Sequence, residues 1–265
     1  MPSAPPPVVR NYAELAVAIA GGTSGIGLAT AQRFADAGVR RIALLARKPD
    51  RGIAARDAVR EHCPDAQVEF VPLDAEHPGQ VAGAVEQVRA AFGRIDVMVS
   101  SIAGGYRPEL LFDIPLSEMG PILVAQALPP MLLTRAVLPI MAEQGGGSIV
   151  NVASDAAKVA TPGETVLGAA MAAIVMFSRT AAMEGKRNGV RVNAVTPSLV
   201  ANTETASRVL SEGFSRKLFE KAASIAHLGV AEPEDLAELI VFLGGPAAAK
   251  LTGQAISVNG GISAA

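Results

Sequence analysis

Short runs that are apolar at nearly every position alternate along this chain with longer stretches in which apolar residues return every three or four positions. The runs occupy residues 15–20, 42–46, 68–71, 95–100, 148–152, 190–195 and 255–258. A strand that is apolar on both faces needs cover on both faces, so seven such runs separated by helices predict one parallel sheet with helices above and below it. The three-to-four spacing predicts helices over 26–37, 49–62, 78–92, around 123–142, 166–184 and 233–243. Their ends are marked where expected: Gly38 follows the first, Gly93 the third, and Gly244-Gly245-Pro246 the last. Residues 202–228 fit no strand and fall between the sixth strand and the last helix, where an excursion at the carboxyl edge of the sheet would serve as a lid. The expected architecture is a single doubly wound α/β domain over residues 13–265, preceded by a flexible tail at 1–12.

Composition narrows the function classes. The chain has 265 residues, half of them hydrophobic, and a formal net charge of −2. That supports one large core, and the interspersed charges form no basic stripe for nucleic acid or an anionic membrane. The single cysteine, Cys63, excludes an intrachain disulfide, and with three scattered histidines no metal site is expected. The start, Met1-Pro-Ser-Ala-Pro-Pro-Pro7, lacks the basic and apolar regions of an export signal, so a cytoplasmic location is expected. Residues 166–183 are apolar enough to suggest a membrane span, but Ser178 and Arg179 interrupt them and their small residues suit close helix packing.

The chemistry begins after the first strand. Gly21-Gly22-Thr23-Ser24-Gly25-Ile26-Gly27 has Gly-x-x-x-Gly-x-Gly spacing and opens the first helix. Glycines allow a tight turn and close backbone approach, and the free N–H groups of a helix start favour a phosphate. Further motifs follow: Leu73-Asp74, Gly93-Arg94-Ile95-Asp96, Gly147-Ser148-Ile149-Val150-Asn151-Val152-Ala153-Ser154, Val190-Arg191-Val192-Asn193-Ala194-Val195 and Val258-Asn259-Gly260-Gly261.

With these motifs the chain resembles the short-chain dehydrogenase/reductase family over nearly all of residues 13–261. The resemblance implies a Rossmann-type fold and a dinucleotide held by Gly21, Thr23, Ser24, Gly25, Ile26 and Gly27. It also implies that Asp74 contacts the adenine, that Ala103 and Gly104 pass the adenosine ribose, and that Pro197 to Val200 pass the nicotinamide. Ser198 stands where the family has a glycine, and Ala20 where it has a threonine. The second strand ends in Arg47-Lys48, with no carboxylate for the 2′-hydroxyl. Two cations there suit a 2′-phosphate, so NADP(H) is favoured over NAD(H).

The same resemblance places the family's proton donors on residues that cannot act. A Ser, a Tyr, a Lys four residues beyond it and an upstream Asn align with Ser154, Leu167, Met171 and Gln126. Leu167 and Met171 neither donate a proton nor lower a pKa, and the cation that would hold the nicotinamide ribose is missing. Ser101-Ile102-Ala103 and Val166-Leu167-Gly168-Ala169-Ala170 are similar to segments of the enoyl-thioester reductases, whose Tyr lies seven residues before the Lys. That register puts Glu164 at the Tyr position, with Met171 still replacing the Lys.

Tyr106 and Glu164 are the candidate substitute donors, each set against a plainer role: Tyr106 as an edge aromatic packed under the lid, Glu164 as a solvated loop charge. Asp155 and Lys158 are expected as solvated loop charges, His227 as a weaker candidate, and Cys63 as structural. Two readings follow. One is an oxidoreductase acting on a carbonyl or enoyl compound through an unconventional donor. The other is a catalytically silent pseudoenzyme that pairs with an active subunit of the family or senses nucleotide. A lyase, isomerase or hydrolase on the same scaffold is a third possibility. By the resemblance, the helices around 123–142 and 166–184 pair two subunits, which implies a homodimer, a homotetramer or a heteromer with an active subunit.

Overall fold

The computed structural model describes residues 8–211 and 213–264. Residues 1–7 of the expected tail lie outside the described residues. From Val8 onward the tail is tied down instead: Val8 N–H donates to Gly145 O at 3.0 Å, and Arg10 reaches both Gln144 O and the carboxylate of Asp96. A short 3-10 turn, Tyr12–Glu14, then leads into the first strand.

Seven strands form one parallel sheet in the order β3-β2-β1-β4-β5-β6-β7. They are β1 (Ala16–Ala20), β2 (Arg41–Ala46), β3 (Gln67–Pro72), β4 (Val97–Ser100), β5 (Gly147–Val152), β6 (Val190–Pro197) and β7 (Ala255–Val258). Among the described residues eight α-helices accompany them: α1 (Gly25–Asp36), α2 (Pro49–His62), α3 (Pro78–Phe92), α4 (Leu116–Glu143), α5 (Thr165–Gly185), α6 (Glu204–Val209), α7 (Gly213–Ile225) and α8 (Pro233–Gly244). Alternate residues of the central strand divide the core. Val17 and Ile19 pack with Phe34 of α1, Val59 of α2 and Leu236 of α8. Ala16 and Ala18 pack on the opposite face with Val85 of α3, Leu133 of α4 and Ala182 of α5. Strand β1 is therefore covered on both faces, as its unbroken apolar run requires.

Three departures from the sequence pattern have physical causes. The fourth strand begins at Val97 rather than residue 95; Ile95 is buried, but its N–H is taken by the Gln144 side chain instead of a strand neighbour. The fourth helix begins at Leu116 rather than near 123, although it carries Pro121, Pro129, Pro130 and Pro139. Proline in a helix costs about 3 kcal/mol relative to alanine where nothing compensates. Here the inner face of α4 is anchored by buried Leu133, Val137 and Met141, which offsets the lost hydrogen bonds. The lid is largely helical, made of α6 and α7. Leu210 and Phe219 pack with buried Leu199 and Val209, while Leu218 and Phe219 also face a cavity.

Two helical stretches, Leu116–Glu143 and Thr165–Asn188, are long and apolar enough to cross a membrane by length and composition alone. Both lay one side on the sheet, while Leu123, Val124, Met176 and Met183 stay exposed on them.

Candidate active site

The chain leaves β1 toward β2 on one side and returns to β4 on the other, so a crevice opens where the carboxyl ends of β1 and β4 meet. The phosphate loop fills its base. Gly21 has φ +77°, and a Cβ there would lie 2.2 Å from the backbone oxygen of Ser101. A Cβ on Gly27 would lie 2.2 Å from Gly21 O. Both positions therefore demand glycine, and the loop closes tightly over the start of α1. Ser24, the N-cap residue of α1, makes no side-chain capping bond. The first-turn N–H groups, which have no partner within a helix, are left to face the crevice.

Above this base lies a cavity of about 750 Å³. It brings together the residues assigned to cofactor or chemistry from the sequence except Gly27, which acts beneath the loop, and the weaker candidate His227, which does not line it. One end is walled by Thr23, Ser24, Gly25, Ile26, Arg47, Lys48 and Asp74; the other by Ser154, Gln126, Leu167, Met171, Tyr106 and Glu164; Ala103, Gly104, Pro197 and Val200 lie along its walls. Arg47 and Lys48 are exposed. Asp74 is half-buried and organises its own turn, accepting from Glu76 N–H at 3.2 Å with His77 3.6 Å away.

At the reaction end, Leu167 and Met171 behave as core. Met171 is buried, and both pack with Ala170 and Ile174. Gln126 is buried at 6% exposure, with its amide nitrogen pressed against Gly104. Ser154 Oγ accepts from Ala156 N–H at 3.2 Å, which leaves its own proton free to donate.

The roof is made at Gly163, whose φ is +87°. Its carbonyl accepts from Tyr106 Oη at 3.2 Å and from Glu109 N–H at 3.0 Å, and a Cβ on it would lie 2.4 Å from the ring of Phe214 on α7. Tyr106 is thus a clasp in the cavity wall, and burial raises its hydroxyl pKa, the wrong direction for an easy donor. Glu164, the next residue, behaves differently. Burial pushes its carboxyl up to about 7, against a hydrogen bond from Thr161 that lowers it, with nearby Asp155 adding to the rise.

Asp155 and Lys158 are not the solvated loop charges expected from the sequence. Asp155 is buried and accepts from Ser257 Oγ at 2.7 Å, Asn259 Nδ2 at 2.5 Å and Ser263 Oγ at 2.9 Å, with Lys158 Nζ 3.5 Å away. Burial alone would raise its pKa, but the hydrogen bonds from Asn259, Ser257, Ser263 and Thr196 outweigh it and hold the carboxyl below its usual range. This network pins the loop that carries Ser154 to the end of β7. Its partners lie about a hundred residues away in sequence, so no local pattern announces them.

The comparisons with known proteins agree with this geometry. The family model described as Enoyl-(Acyl carrier protein) reductase matches residues 20–263. The chain is 33% identical over 245 residues to the 3-oxoacyl-[acyl-carrier-protein] reductase FabG of Thermotoga maritima, covering 92% of this chain and 96% of that protein. The crystal structure of levodione reductase superposes with a TM-score of 0.87 at 27% identity, covering 94% of this chain and 97% of that one. L-Sorbose reductase from Gluconobacter frateurii, solved with NADPH and L-sorbose, gives a TM-score of 0.81 at 31% identity, with 94% and 96% covered.

Proposed function

Since this chain belongs to the short-chain dehydrogenase/reductase family and is of the NAD(P)-dependent oxidoreductase type, we propose that it is an NADP(H)-using reductase of a carbonyl or enoyl compound in which Glu164 replaces the missing proton donor. The observation that carries this reading is the placing of Glu164 in the same cavity as Ser154 and the phosphate loop, under a roof that desolvates its carboxyl.

The residues present fit a dinucleotide. A backbone cradle that any Cβ would fill, an uncapped helix start and a cavity of about 750 Å³ are what a pyrophosphate and two nucleosides require. Arg47 and Lys48 supply charge for a 2′-phosphate, which supports NADP(H) over NAD(H). Bound NADPH supplies a hydride. Ser154 donates a hydrogen bond to the substrate oxygen, and Glu164, about half protonated near pH 7, delivers the proton as negative charge develops there. Gln126 lines the same pocket with both a donor and an acceptor. Leu167 and Met171 give the substrate an apolar floor. The exposed apolar residues of α4 and α5 support pairing of two copies, and a cytoplasmic location without membrane or nucleic-acid binding is part of the same reading.

A second reading is favoured by one observation: Met171 and Leu167 are packed as core rather than held as a site. On that reading the chain is a silent subunit that binds nucleotide and partners an active relative. Titration with NADPH and NADH followed by reduced-nicotinamide fluorescence, then turnover with carbonyl and enoyl substrates, separates the two. Binding with turnover that Glu164→Gln removes supports the reductase; binding without turnover across the substrate screen supports the silent subunit; binding of neither nucleotide rejects both.

A further inference from the structure

Helix α6 lies across the cavity and is fastened on both sides. At its first turn Glu204 pairs with Arg51 of α2 at 2.5 Å, and at its last turn Arg208 donates to Gly104 O at 3.2 Å. Between them Thr203, which caps α6 through its side chain, sits over the phosphate loop, its Cγ2 3.4 Å from where a Cβ on Gly25 would be. The Arg51 end is the unusual one. Arg51 stands three residues beyond Lys48, lines the same cavity as Arg47 and Lys48, and is paired with a carboxylate that belongs to the lid.

We infer that Arg51 is a third cation for the 2′-phosphate and that Glu204 is its exchangeable partner, so that NADPH, but not NADH, unfastens one end of α6. The inference rests on the NADP(H) reading above. Both side chains of the pair are about half exposed, 50% and 57%, so the ion pair is weak and screened. A phosphate carrying close to two negative charges, and able to take a guanidinium through two parallel bonds, outcompetes a single exposed carboxylate. The exchange moves no covalent bond and leaves α6 held by Arg208 on Gly104 O, by Arg107 on Arg208 O and by buried Ala206 and Val209. Cofactor type is thereby reported to the lid that covers the substrate end: only the first turn of α6 is loosened, and only when the phosphorylated dinucleotide is bound.

The test is the affinity of the full chain for NADPH and for NADH, with Arg51→Gln, Glu204→Gln and Arg47→Gln compared. Arg51→Gln is expected to weaken NADPH about fivefold while NADH changes less than about twofold, and Glu204→Gln to tighten NADPH about two- to threefold by removing the competitor. In the unmodified protein, hydrogen exchange of residues 203–209 is expected to speed up with NADP+ and stay unchanged or slow with NAD+. If NADPH is preferred and Arg47→Gln abolishes the preference while Arg51→Gln and Glu204→Gln change nothing, the cofactor reading stands and the exchange is overturned. Equal affinity of the unmodified chain for both nucleotides, or no binding, overturns the cofactor reading and this inference with it. Identical exchange in α6 with the two cofactors overturns the lid half alone.

Discussion

The two ends of the cavity are built by different means. The phosphate end is built from backbone: Gly21 and Gly27 pack against peptide oxygens, and the open start of α1 faces the crevice. The reaction end is built from side chains, and there Leu167 and Met171 have been absorbed into the core while Glu164 has been drawn toward neutrality. A backbone cradle is specified by what cannot be placed there, so it survives as long as the fold does. A set of donors is specified residue by residue and can be lost without disturbing a strand. Binding and chemistry are therefore separable in this fold, and each can be broken without the other.

The sharpest break at the backbone end is Gly25→Asp. Gly25 has φ +49°, a region an aspartate tolerates better than most residues, and the nearest atom to its Cβ would be 3.4 Å away. The fold should persist while a carboxylate occupies the anion position, weakening NADPH by about 100-fold or more in a fluorescence titration. Retained affinity would show that the loop does not hold the phosphates.

At the side-chain end Glu164→Gln should leave nucleotide affinity within about twofold and lower turnover by about 100-fold. In the unmodified protein, reduction needs the protonated acid, so the rate should fall as pH rises through about 7. A flat profile between pH 6 and 8 would remove Glu164 from the chemistry.

Asp155→Asn tests whether the reaction end depends on its distant network. A carboxyl held below its usual pKa stabilises the fold above that usual value and loses its contribution as pH falls toward the lowered one. The substitution should cost about 2 kcal/mol near neutral pH by denaturant unfolding, with the difference shrinking in acid. An unchanged midpoint would mean the serines and Asn259 find other partners.

The smallest effect concerns the cost of keeping Glu164 half-buried. Its pKa is raised in the folded state from 4.5 to about 7, so the folded chain holds the proton more tightly. Its contribution is fully present below the ordinary carboxylate pKa and is lost as pH climbs through about 7. Glu164→Gln should flatten the fall in thermal midpoint between pH 5 and 7.

The sheet and the glycine loop after β1 were legible in the sequence because each is a local pattern: an unbroken apolar run or a glycine spacing. What was not legible depends on distant partners. The first two turns of α4 were hidden by Pro121, which breaks a helix unless tertiary packing outweighs it. Asp155 and Lys158 look like loop charges until Ser257 and Asn259 arrive from the last strand. The lid helices, of which α7 is clearly amphipathic, pack on Leu199 from a distant strand end, and Glu164 was recognisable as a candidate but not as a desolvated one until the roof above it was seen.

The Gly163 carbonyl is shared by Tyr106 and Glu109, and the Phe214 ring fills the place a Cβ on Gly163 would take, so three chain segments meet at one residue. Segments joined at a point cannot open in turn; releasing any one costs the contacts of the others. The mouth of the cavity should therefore behave as a single gate on the microsecond-to-millisecond scale. Nuclear relaxation probes at Tyr106, Gly163 and Phe214 should report one common exchange rate, so that ligand entry has a single clock.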